Sequence, residues 1–151
     1  MAFTATKNWK AGSSMVSTDF DTYISANMDV ANQQQLRFTV TTLNTGVAAP
    51  RWIAPYPVTV NGAHIGAGTA STTGSIVMDL LKTSGGGSTA TTLFTSSSEL
   101  PTLSSGKTET TSITAPDVTA VASGDILTVS CVAAGSVSAA DVSFIVSLSG
   151  A

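Results

Sequence analysis

The chain has 151 residues, of which 42% are hydrophobic and only 10% charged, with a formal net charge of −3 and a pI near 4.7. This is enough for a single domain with a real core. The acidic balance argues against nucleic acid as a partner, because no basic stripe exists to neutralise phosphates.

Serine and threonine make up about 30% of the residues, and with so few charges they suit β-sheet faces that meet water through short polar side chains. No apolar run approaches the about 18 residues of a membrane span. The opening MAFTATKNWKAG has no apolar core after its first lysine, so no secretory export is expected. The single cysteine, Cys131, cannot form an internal disulfide and falls on the apolar side of a predicted strand, where a thiol packs as a small hydrophobe.

Residues 1–12, with Phe3 and Trp9 among Thr4, Thr6 and Lys7, read as an extended arm. A helix is predicted over residues 18–32. Thr18 and Asp21 form a capping-box-like start, and Asp19 also lies in the first turn, near the positive end of the helix dipole. Phe20, Tyr23, Ile24, Met28 and Ala31 then share one apolar stripe, suited to packing on the protein's own sheet or on a neighbouring subunit.

Beyond the polar run 32–35 the period changes to two. Leu36, Phe38 and Val40 alternate with Arg37, Thr39 and Thr41. Trp52, Ala54, Tyr56, Val58 and Val60 continue an apolar face, with Pro55 and Pro57 assigning that run to a sheet edge or an irregular stretch. Asn61-Gly62 reads as a turn and residues 62–74 as a Gly/Ala-rich loop. Residues 76–82 are apolar on both faces except at Asp79, the pattern of a strand covered on both sides. Residues 84–88 are a flexible tip, and short strands are expected at 92–95 and 108–114. Two alternating runs close the chain, joined by a turn of small residues. In the first, Leu127, Val129, Cys131 and Ala133 share a face; in the second, Val142, Phe144, Val146 and Leu148 do.

These elements predict an all-β protein, a jelly-roll-like antiparallel β-sandwich preceded by an N-terminal extended arm and one short α-helix. Residues 1–35 form the anchoring segment and residues 36–151 the sandwich domain.

The sequence offers no catalytic set. His64, the only histidine, sits in the expected Gly-rich loop, and pairing it with one of many serines has no specificity. No G-x-S-x-G elbow is present. One cysteine and one histidine far apart make no zinc site. Asp117, Asp125 and Asp141 stand just before strand-like runs, where aspartate bonds its own backbone in turns. No enzyme, metal or cofactor is therefore expected. Four of the six basic residues, Lys7, Lys10, Arg37 and Arg51, lie toward the N-terminus, which suits docking of that region on an acidic surface.

Two segments carry a resemblance. The stretch Lys7-Asn8-Trp9-Lys10-Ala11-Gly12, followed by residues 16–24 and Asn27-Met28, resembles a recurrent start of tailed-bacteriophage virion proteins, a Trp-x-Ala-Gly stretch leading into a Thr-Ala-x-x-Leu-Asn helix. Phe20 stands where that family usually has Leu, and Asp21 where it often has Asn. The second segment carries Asp79-Leu80-Leu81-Lys82, Leu93-Phe94, residues 123–129 and the closing run 142–148. It is similar to β-sandwich modules of phage head-decoration, head-fibre and tail-fibre proteins, with Thr83-Ser84-Gly85 replacing the usual Asn-Gly.

The resemblance implies a virion structural protein of the capsid decoration (cement) type, assembled in the host cytoplasm without secretion and displayed on the capsid surface. Its expected partners are the major capsid protein and further copies of itself in a homotrimer. Phe3, Trp9, Phe20, Tyr23 and Met28 are the expected interface anchors. The rival expectation is a short head- or tail-fibre module that binds host surface glycan, with Trp52 and Tyr56 stacking on sugar rings.

Overall fold

The computed structural model describes residues 34–40, 43, 45–110, 112–135 and 141–151. The arm and helix expected within residues 1–32 lie outside them. The chain divides into two units, Met1–Gln34 and Gln35–Ala151.

The second unit is all-β. Its strands are β1 (Gln34–Val40), β2 (Gly46–Ile53), β3 (Val58–Gly66), β4 (Ile76–Thr83), β5 (Ala90–Thr92), β6 (Thr102–Leu103), β7 (Ala120–Val121), β8 (Ile126–Ala134) and β9 (Val142–Gly150). One sheet has the order β1-β9-β3-β7; the other runs β2-β8-β4-β5, with β6 also paired to β4. The pairings of β3 with β7 and β9, and of β8 with β2 and β4, are antiparallel. Only β4, β5 and β6 follow one another within a single sheet; every other connection moves the chain from one sheet to the other.

Alternation explains which side chains enter the core. Phe38 and Val40 of β1, and Val142, Phe144, Val146 and Leu148 of β9, are buried as their period-two spacing requires. They join Val60 and Ile65 of β3, Ile76, Met78 and Leu80 of β4, and Leu127 and Val129 of β8 in one contiguous cluster drawn from both sheets. Each such side chain contributes about 1.5–3 kcal/mol on burial, whereas an exposed ion pair contributes about 0–1 kcal/mol. Apolar burial therefore dominates the stability of this weakly charged chain.

Several expectations need correction. The apolar run 52–60 is two strands in different sheets. β2 ends at Ile53, and Ala54 ties the crossing down by donating to the Asp125 carbonyl (2.9 Å) and accepting from Gly124 N–H (2.8 Å). Pro55 and Pro57, which supply no N–H, occupy the bend. Asn61-Gly62 is not a turn: β3 runs on to Gly66, and the register slips between Val60 and Gly62, leaving Asn61 as the extra residue of a bulge opposite β9. Gly62 is required there because Ile113 and Thr114 press against it, and a Cβ would overlap the Ile113 Cγ2 methyl.

In β4, Ile76, Met78 and Leu80 are buried, but Val77, Asp79 and Leu81 are half-buried, so the strand is fully covered on one side only. Val77 is flanked laterally by Ala133 and Thr102, and Leu81 by Thr128 and Thr92. A second bulge, in which Val77 pairs with Ala133 but Met78 with Cys131, leaves Val132 unmatched and 50% exposed. Ala133 is thereby turned to the face opposite Leu127, Val129 and Cys131. β8 and β9, consecutive in sequence, lie in different sheets.

The strand expected at 92–95 ends at Thr92, after which Leu93 and Phe94 drop into the core. Among the described residues, 108–110 and 112–114 form no strand but make isolated bridges to β3, Glu109 to Gly66 and Thr114 to Ala63.

Candidate functional site

The outward face of the β1-β9-β3 sheet carries an open cleft of about 580 Å3. Its floor follows from the register: His64 lies beside Ile145 and Gly66 beside Ser143 across the β3–β9 pair. Arg37 and Thr39 of β1 line it from one side, since the residues between them and after them, Phe38 and Val40, are the ones that point inward.

The opposite wall is the segment around Thr108 and Glu109. It is held to the end of β3 by Ala67 N–H donating to the Thr108 carbonyl (2.7 Å) and by the reciprocal bonds between Ile65 and Thr110. Asp141 closes the end of the cleft, its carbonyl accepting from Gly68 N–H (3.4 Å). Asp141 has a φ of 53°, the left-handed region that non-glycine residues seldom occupy. Such backbone persists only where its surroundings impose it, and it concentrates at functional positions.

The cleft brings together donors and acceptors far apart in sequence: the Arg37 guanidinium, the His64 imidazole, the carboxylates of Glu109 and Asp141, and the hydroxyls of Thr39, Thr108 and Ser143. His64 Nδ1 is buried with no hydrogen-bond partner. Leaving such a group unsatisfied costs about 1–3 kcal/mol. His64 is thus a strand residue rather than the loop residue expected from its glycine neighbours. No motif spacing marks its association with Arg37, Glu109 and Asp141, although the alternation places Arg37, Thr39 and Ser143 on outward faces. Among the described residues, no three His, Cys, Asp or Glu side chains are disposed to hold a metal ion.

The other aspartates serve the loops. Asp125, 93% buried by its 7% exposure, accepts from Gly85 N–H and Ala122 N–H, both at 3.0 Å. Asp117 accepts from both the N–H and the hydroxyl of Thr95 (2.6 and 2.8 Å), which pull its carboxyl below the ordinary range. Cys131 is buried, and desolvation raises its thiol pKa, the condition of an inert packing group.

Trp52 packs against the core from β2, while Tyr56 is 44% exposed in the bend that follows. They do not share the single strand expected of a stacking pair. Phe3, Trp9, Phe20, Tyr23 and Met28 lie outside the described residues. Among the described residues no helix is long and apolar enough to cross a membrane. Comparison with protein-family models, with curated proteins and with solved structures found no match.

Proposed function

We propose that this chain is a structural protein of a tailed-phage virion, a capsid decoration protein that grips the head through its N-terminal segment and displays the β-domain outward. In this reading the two sheets form a jelly-roll-like sandwich. The repeated passage of the chain between sheets and the single core drawn from both support that arrangement. The partners are the major capsid protein and two further copies of the chain, and the protein acts by binding rather than by catalysis.

The observation that carries the reading is the division of the chain at Gln34. The segment that resembles phage virion proteins forms a unit distinct from the β core. It also concentrates the large apolar side chains Phe3, Trp9, Phe20, Tyr23 and Met28, and buried aromatic anchors dominate interface energies.

The test is co-sedimentation of the full-length protein with emptied capsids of the parent phage. Trp9→Ala and Tyr23→Ala each weaken capsid binding at least about tenfold, the loss of one anchor of about 2 kcal/mol, and leave the thermal transition of the β-domain where it was. Full binding by the double variant would discard the anchoring role.

A further inference from the structure

We propose that the cleft between Arg37, His64, Glu109 and Asp141 is a binding site for a neutral saccharide ring. The size of the cleft, about 580 Å3, lies within the about 300–1,000 Å3 of small-molecule sites. Among the described residues, no three His, Cys, Asp or Glu side chains are disposed to hold a metal ion, and a ligand that engages Arg37, Glu109 and Asp141 together spans the cleft they line.

Its chemistry follows from the lining. Arg37 only donates, the carboxylates of Glu109 and Asp141 only accept, and the Ser143 hydroxyl does both. A ligand satisfying all of them must present several groups that each donate and accept, which is what a ring of hydroxyls offers. One cation set against two carboxylates disfavours a phosphate or other anion. Ile145 supplies an apolar patch on the floor for the C–H face of a ring. His64 lines the floor beside Ile145.

The lining residues named here belong to Gln35–Ala151 and the capsid anchors to Met1–Gln34, so substitutions can test capsid binding and sugar binding separately. The full-length 15N-labelled protein is titrated with the methyl glycosides of glucose, galactose, mannose and N-acetylglucosamine. At least one produces saturable shifts of the amides of Gly66, Ala67, Gly68 and Glu109. The exposed Glu109→Gln variant, which keeps its fold, raises the Kd about tenfold by removing one charged acceptor. No saturable shift up to the solubility of the sugars, shifts centred elsewhere, or a Kd unchanged in Glu109→Gln would overturn the site. So would sodium phosphate shifting these amides where the sugars do not, since that describes an anion site.

Discussion

Two aspartates in this domain sit in opposite electrostatic situations, and they make opposite contributions to stability. Asp79 is half-buried on β4; desolvation raises its pKa, and the bond from the Thr92 hydroxyl (2.7 Å) only partly offsets this. Its folded-state pKa lies above the unfolded one, so the ionised carboxylate opposes folding at neutral pH, and that penalty is relieved as pH falls through the folded pKa. Asp117 has its pKa lowered chiefly by the Thr95 backbone and side-chain bonds. Its contribution is therefore present above the unfolded pKa and lost as pH falls through the folded one. Urea denaturation of two isosteric variants tests both signs. Asp79→Asn is more stable than the parent at pH 7 and loses that advantage in acid. Asp117→Asn is less stable at pH 7, and the two proteins converge in acid. An Asp79→Asn variant weaker than the parent at pH 7 would show that the Thr92 bond to the charged form outweighs desolvation.

At the scale of the strand, the bulges decide what could be read from the sequence. Gly62 lies where the segment carrying Ile113 and Thr114 crosses β3, with an added Cβ only 3.2 Å from the Thr114 carbonyl oxygen and in overlap with the Ile113 side chain. Gly62→Ala should cost about 1–3 kcal/mol, the usual range for overpacking. Ile113 is 60% exposed, so Ile113→Ala alone should cost little. In the double variant the alanine at 62 meets a shorter neighbour and part of the loss returns. Additive losses in that cycle would show that the methyl overlap is not the cause. Asn-Gly misleads here for a related reason. As a dipeptide it specifies a turn, and the strand whose register makes it a bulge is β9, at the far end of the chain. Period-two alternation is local, so Phe38, Val40, Phe144 and Val146 could be assigned to the core from spacing alone. Ala133 could not, because the extra residue Val132 reverses the phase of β8 only when β4 is laid beside it. The cleft was illegible for the same reason: Arg37, His64, Glu109 and Asp141 converge through strand register, and no motif spacing records that.

For the whole molecule, the decisive matter is whether two sheets joined by so many crossings unfold as one body. The core cluster takes members from both, so loss of packing in one sheet should be felt in the other. Phe144 of β9 is fully buried, and Phe144→Ala should cost about 3–5 kcal/mol, a large part of the about 5–15 kcal/mol that holds such a domain together. Cys131 is a built-in reporter in the other sheet. It is 2% exposed, on the core side of β8 beside Met78, and is the chain's only thiol. Its labelling by a thiol reagent requires opening of the β8 region, and where reclosing is faster than labelling, the rate follows the free energy of that opening. With one cooperative core, Phe144→Ala accelerates labelling of Cys131 by about a hundredfold or more, since each 1.4 kcal/mol is a factor of ten. Leu80→Ala on β4, beside β8, sets the scale for a substitution in the reporter's own sheet. If Leu80→Ala accelerates labelling and Phe144→Ala does not, the sheets open separately. The shared core would then be a matter of contact rather than of cooperative stability.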